Sequence, residues 1–247
     1  MSSIGVSASA VSRLCNLLRI CALLLALGVF PGISRTHAQD AVTGSAALVQ
    51  SAQSALQPFL TDPRWRAVRN ALGGARAIIV VPHDIQAGFL LTAAGGSGVL
   101  LRRHGNVWSD PIFIQIGSVG VGFQAGAENQ SLVMLIMSDA AVDQLLQGAM
   151  SVGGSGGFAL SNLGLSGGGS GNISNGLEIL SVSTNSGLFA GSGIAGMKIS
   201  PQDGFNQANY GAGYNMQAIA AGMGGNLPSA GTLRAVLIEA VTQAWYQ

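Results

Sequence analysis

Cysteine is almost absent: the chain has two, Cys15 and Cys21, both near the N-terminus. Neither follows the small residues that a lipid-modified bacterial N-terminus requires, and no cysteine comes after them, so the rest of the chain is expected to carry no disulfide and no thiol chemistry. Charge is equally scarce, with Asp, Glu, Lys and Arg at 9% of residues and a formal net charge of +1. A nucleic-acid surface needs a clear basic excess, and that class of partner is excluded. Long apolar runs are missing as well. The run from Ile20 to Phe30 has about half the roughly 20 residues that a spanning helix needs.

That run nevertheless has a meaning. Arg13 and Arg19 precede it, and Thr36-His37-Ala38 then presents small residues at the −3 and −1 positions. This is the pattern of a secretory signal peptide, which predicts removal of residues 1–38 and a single domain over 39–247. The basic residues of that domain are Arg64, Arg66, Arg69, Arg76, Arg102, Arg103, Lys198 and Arg234, against ten acidic ones. The exported chain is therefore slightly acidic, and is expected in the periplasm or peripheral to the envelope membrane of a bacterium.

What the chain has in abundance is glycine, 37 residues, within a 48% hydrophobic composition. So high an apolar fraction rules out a disordered chain and suits a tightly packed β protein or one that touches lipid. Apolar runs alternate with turn residues from residue 76 to 137 and predict strands near Ala77 to Val81, Ala87 to Thr92, Gly98 to Arg103, Ile112 to Ile116, Gly120 to Ala127 and Leu132 to Met137. Further strands are predicted at Leu177 to Thr184, Gly187 to Gly191 and Gly193 to Ile199, after a glycine-rich loop from Val152 to Gly176. Arg102 and Arg103 end one strand before the Gly105-Asn106 turn. Two-residue alternation sends at least one of them to solvent, as a phosphate contact or as a solvated edge.

Helices flank these strands. The stretch Ala41 to Leu60 carries no charge and places Val42, Ala46, Val49, Leu56 and Leu60 near one helical face, with Pro58 or Thr61-Asp62-Pro63 ending it. Asp62 and Pro63 then start a second helix that Gly73-Gly74 stops. It puts Trp65, Val68 and Leu72 on one side and Arg66 and Arg69 beside them. Such a helix can seat at a membrane interface, the ring at headgroup level and the arginines on phosphates. It equally suits a surface helix that packs Trp65 inward and leaves the arginines solvated. A third helix follows Asp139, and two more lie near Met216 to Met223 and Ala230 to Tyr246, the last with Leu233, Val236, Leu237, Val241 and Trp245 facing the core.

No catalytic constellation emerges. Gly153-Gly154-Ser155-Gly156-Gly157 has the form of a nucleophile elbow but no later histidine to serve it. Gly191-Ser192-Gly193-Ile194-Ala195-Gly196 has the form of a dinucleotide fingerprint but precedes a strand rather than a helix. His83 and His104 lack spaced partners for a metal. The chain is thus read as no enzyme, without cofactor or metal.

The order of landmarks resembles the SYLF domain family over roughly residues 45 to 247. The landmarks are Ala75 to Pro82, Ala87-Gly88-Phe89, Gly96-Ser97-Gly98-Val99, Trp108-Ser109-Asp110-Pro111, the Gly-rich stretch from Gly117 to Gly126, Ser186-Gly187-Leu188-Phe189-Ala190-Gly191 and Asn209-Tyr210-Gly211. The Gly-Pro-Gly-Arg-like turn usual in such proteins has no counterpart in Gly153 to Phe158. Eukaryotic members bind phosphoinositides and some bind actin filaments. The resemblance therefore implies non-catalytic binding of phospholipid or phosphoinositide-like headgroups at a membrane surface, with Arg64, Trp65, Arg66, Arg69, Arg102 and Arg103 as the contacts. Actin is not expected as a partner after export. The alternative is a structural or interaction module of the envelope whose sheet edge pairs with a protein partner. The expected fold is α+β: a Gly-rich, mainly antiparallel, curved or barrel-like sheet with flanking N- and C-terminal helices.

Overall fold

The computed structural model describes residues 33–88, 91–121, 126–148, 150–152, 160–162, 179–183 and 197–245. Two compact units divide at Gln39/Asp40, and of the first only the start of one helix is described. Helix α1 (Ile33–Thr61) leads through a 3-10 turn (Pro63–Trp65) into α2 (Arg66–Leu72). The strands are β1 (Ala77–Gly88), β2 (Leu91–His104), β3 (Val107–Trp108), β4 (Ile112–Val121), β5 (Gly126–Ile136), β6 (Met150–Val152), β7 (Leu160–Asn162), β8 (Ile179–Ser183) and β9 (Met197–Pro201). Helix α3 (Asp139–Leu146) precedes β6. Helices α4 (Asp203–Tyr210), α5 (Met216–Ala218) and α6 (Gly231–Trp245) close the chain, with a π-turn (Ile219–Met223) continuing α5.

The strands form one strongly curved, half-barrel sheet in the order β6-β9-β4-β2-β1-β5-β8-β7, with β3 paired to β2. All pairings are antiparallel except β7 with β8. The architecture is α+β with N- and C-terminal helices, as the sequence predicts.

Four long strands stand where six short ones are predicted. Pro82 reads as a strand end, yet it lies within β1, at a register irregularity between Val81 and Asp84 against β5. A bulge is where a strand tolerates a residue without an N–H donor. Gly95 and Gly96 fall between two predicted strands, Ala87 to Thr92 and Gly98 to Arg103, but β2 runs through them. A Cβ on Gly98 would stand 2.6 Å from the Val80 carbonyl oxygen, so glycine lets β1 approach.

The continuous apolar run Ile78-Ile79-Val80-Val81 is buried on both sides of the sheet, which is why it lacks strict polar alternation. Ile78, Val80, Val99, Leu101, Phe113, Val133 and Leu135 face a core closed by α1, α2 and α6. Ile79, Val81, Leu100, Ile112, Ile114, Leu132 and Met134 face a second core closed by α3 and the π-turn.

On α1 the buried stripe is Ser45, Val49, Ala52, Leu56 and Phe59, whereas Val42 is exposed. Full burial of Leu56 or Phe59 contributes roughly 1.5–3 kcal/mol each. Pro58 does not end the helix, which continues to Thr61. At the start of α3 the N-cap is Ser138 rather than Asp139, its hydroxyl accepting from the Ala141 N–H at 3.1 Å.

Helix α4 is absent from the sequence expectation, and strand β7 stands inside the predicted loop. The predicted strand at 187–191 lies outside the described residues, as do the segments 153–157 and 191–196. No described helix is long and apolar enough to cross a membrane.

Candidate functional site

The second helical segment begins as its sequence dictates. Asp62 accepts from the Arg64 N–H at 2.9 Å, with Pro63 at the first helical position. Arg64 folds back on the same carboxylate, its Nε donating to Oδ2 at 2.8 Å. This guanidinium holds the Asp62 carboxyl below the usual range, and Asp62 raises Arg64 in turn. Arg69 donates to the Asp62 carbonyl at 2.7 Å. Arg66 is exposed and makes no ion pair among the described residues.

Trp65 is 4% exposed and packs against Phe59 with ring centroids 4.7 Å apart. Of the two placements open to it, the ring takes the core. It presents no surface to a headgroup in this conformation.

Arg102 and Arg103 lie on opposite faces of β2, and helices cover both faces there. Arg102 donates to Asp143 at 2.9 Å and to Asp139 at 3.3 Å, the two carboxylates that α3 presents. Arg103 turns to the other side and donates to the carbonyls of Leu72 at 3.3 Å and Gly73 at 2.9 Å, where α2 ends. Neither arginine projects as a solvated strand end. Alternation separated them correctly, but the helical cover on each face is a long-range feature. Burial, and then the charge of Arg76, push the Arg103 guanidinium down from its ordinary value.

The structure adds a surface tryptophan that the helical spacing had assigned to the core. Leu233, Leu237 and Val241 of α6 are fully buried, yet Trp245, one turn further, is 59% exposed. Its Nε1–H donates to the Gly73 carbonyl at 3.2 Å, and the Arg103 guanidinium stands 5.9 Å from its ring centroid. Arg76, half exposed, pairs with Asp139 at 3.5 Å. Arg103 and Trp245 thus meet where α2 ends, and the Arg103 backbone N–H donates to the Arg76 carbonyl at 2.8 Å. The available signal was position alone, Trp245 being in the last turn of the last helix.

Two buried polar clusters organise the remainder. Asp110, from Trp108-Ser109-Asp110-Pro111, is 3% exposed and accepts from Arg234 at 2.6 Å and from the backbone N–H groups of Asn226 at 2.7 Å and Leu227 at 2.9 Å. Next to it Tyr210 donates to the Pro111 carbonyl at 2.6 Å. Asp84, also 3% exposed, accepts from Gln130 at 3.1 Å, and Gln130 accepts in turn from Ser183. Among the described residues no group of three His, Cys, Asp or Glu side chains is placed to hold a metal. His104 bonds the Ala220 carbonyl through Nε2 at 2.6 Å, an arrangement that ties the β2–β3 turn to the π-turn.

Comparison with known proteins agrees with these landmarks. The chain is 35% identical over 135 residues to SH3 domain-containing YSC84-like protein 1 of Xenopus laevis, covering 54% of this chain and 40% of that protein. It is 35% identical over 114 residues to the Homo sapiens protein of the same name, covering 45% and 33%. It is 30% identical over 165 residues to Protein YSC84 of Saccharomyces cerevisiae, covering 65% and 35%. The chain thus spans a third to two fifths of the length of these relatives. Residues 117–240, half of the chain, from the middle of β4 into α6, match the Ysc84 family, described as "Las17-binding protein actin regulator". The chain belongs to this Ysc84, or SYLF, family.

Proposed function

We propose that the chain is a non-catalytic module that binds an anionic membrane surface, contacting phospholipid or phosphoinositide-like headgroups through arginines at one end of its helical layer. The observation that carries this reading is the distribution of charge. From Ala41 to His83 the single acid is Asp62, already engaged by Arg64, while Arg64, Arg66, Arg69 and Arg76 lie in the same stretch. Arg103 joins them through the last carbonyls of α2. Clustered guanidiniums match phosphate oxygens in geometry and charge. The envelope location expected from Arg13, Arg19 and the Thr36-His37-Ala38 site belongs to the same proposal and would supply such a surface.

The test is co-sedimentation with vesicles of graded anionic content at two salt concentrations, with and without Arg64/Arg66/Arg69→Ala. Salt-sensitive binding that tracks anionic lipid and weakens in the triple variant supports the reading. A second reading, a protein-interaction module of the envelope, is favoured by the family description, whose words "Las17-binding" point to a protein partner. Absence of binding to anionic vesicles at low salt removes the first reading and leaves the second.

A further inference from the structure

Trp245 is the residue that the fold of α6 does not explain. The last turn of the helix lies against Gly73, where α2 ends. A Cβ on Gly73 would stand 3.3 Å from the indole Cδ1 and 3.3 Å from the Ala244 Cβ, so the glycine makes room for the ring. Three contacts then hold the indole in one orientation: its edge against Gly73, its N–H on the Gly73 carbonyl, and Arg103 over it at 5.9 Å. With the N–H satisfied internally, what remains open is an apolar surface beside Arg103, whose backbone N–H donates to the carbonyl of Arg76, itself half exposed and paired with Asp139. The same Gly73 carbonyl accepts from both the indole and Arg103.

We infer that Trp245 is a membrane-interface anchor, its ring entering the glycerol level of an anionic bilayer while Arg76 and Arg103 take the neighbouring lipid phosphates. This rests on the membrane reading above and names a residue outside the arginines of α2 as the point of insertion. An indole with a satisfied N–H and an apolar face suits the interfacial zone, where one side is wet and the other is hydrocarbon. An anion beside Arg103 would relieve two unfavourable features, the partial burial of its charge and the repulsion from Arg76. A bilayer is favoured over an acidic peptide because a single ring, 59% exposed and beside one guanidinium, is not the desolvated pocket that anchors a protein hot spot.

The chain's three tryptophans make the test direct. Trp65 and Trp108 are 4% and 2% exposed, so Trp245 is the ring that a collisional quencher reaches in solution. Emission of the full chain is measured with acrylamide, and then with phosphatidylcholine vesicles that contain phosphatidylglycerol, with and without brominated acyl chains. The expected result is acrylamide quenching without vesicles, protection with them, and quenching by the brominated lipid. Trp245→Phe should keep binding and lose those changes, and Trp245→Ala should weaken partitioning roughly tenfold. Arg76→Gln should weaken it less, and more so at low salt. Unchanged far-ultraviolet dichroism keeps a folding defect separate. Vesicle binding with Trp245 still open to acrylamide, or unaffected by Trp245→Ala, overturns this inference and leaves the membrane reading standing. Binding to no vesicle overturns both.

Discussion

Asp110 and Arg234 meet at 2.6 Å across the interval between the β3–β4 connection and helix α6, with the carboxylate 3% exposed and the guanidinium largely covered. Asp110 also receives the N–H groups of Asn226 and Leu227, and Asn226 adopts a left-handed φ of 62°. One buried charge thereby fixes a turn whose backbone is otherwise unfavourable for a side chain.

Removing one member of a buried, hydrogen-bonded pair leaves the other uncompensated. Asp110→Ala is expected to cost about 3–5 kcal/mol in urea unfolding. The double variant Asp110→Ala/Arg234→Met should recover part of that loss, because no buried charge remains, but the two N–H groups still lack an acceptor. A double variant as unstable as the sum of the singles would show that the residues do not act as a pair.

The β1–β2 contact gives a second prediction. A Cβ at Gly98 would press on the Val80 carbonyl at 2.6 Å and on Val81 Cγ2 at 2.8 Å. Both neighbours are held in the middle of a sheet with little room to move. Gly98→Ala should therefore cost about 1–3 kcal/mol by overpacking, whereas the half-buried neighbour Ser97→Ala should stay within about 0.5 kcal/mol. Equal effects would remove the steric account.

These glycines also mark the limit of what could be read from the chain. Local signals were reliable where a few neighbouring residues decide the outcome: Asp62 caps, Pro63 starts and Gly73 stops as predicted. They failed where a distant strand decides. Pro82 and Gly96 look like turn residues until β5 and β1 are known to lie against them. Helix α4 was invisible because Asp203 to Tyr210 is short and mostly polar, with Phe205 and Tyr210 its large apolar side chains and Asn206 buried for its hydrogen bonds rather than its hydrophobicity. The candidate arginines were identifiable by type, but their engagements are long-range, Arg102 reaching α3 and Arg103 the end of α2. The tryptophans exchange places for the same reason. Helical spacing says which side a ring occupies, not whether a neighbour covers it there, and Trp245 meets the end of α2 at Gly73 yet stays 59% exposed.

Alkali should loosen the C-terminal region. Burial first, then the hydrogen bond to Asp203 and its charge, push the Tyr214 hydroxyl up to about 12 from an ordinary value of 10.0. Tyr210 is pushed up further, chiefly by burial and then by Asp110, with Arg234 opposing. In the unfolded chain both lose their protons near 10, while the folded chain still holds them. The unfolded state thus binds fewer protons in that window, and stability falls as pH rises from 10 towards 12 and is unaffected by these groups below it. Urea midpoints measured across that range should decline, and Tyr210→Phe should reduce the slope. A midpoint independent of pH through the window would contradict the assignment.

Asn206 provides the sharpest test of the packing between α4 and the sheet. Its side chain is fully buried and imitates a neighbouring strand: Oδ1 accepts from the Phe113 N–H at 2.9 Å and Nδ2 donates to the Phe113 carbonyl at 2.7 Å. Asn206→Ala removes both bonds at once and leaves the Phe113 N–H without this partner, an expected cost of about 2–4 kcal/mol. Asn206→Asp has nearly the same shape and isolates the chemistry. It can still accept from the N–H, but it sets a second oxygen, charged or protonated, against the carbonyl. If it ionises, the fold must bury a charge facing a carbonyl, and stability falls steeply as pH rises past the carboxyl range. If it stays protonated, the O–H can replace the lost donor and the variant approaches wild type at low pH. Asn206→Asp should therefore be close to wild type in acid and worse than Asn206→Ala near neutrality. An Asp variant with the same stability difference at both pH values would show that the amide's paired hydrogen bonds are not what holds α4 to β4.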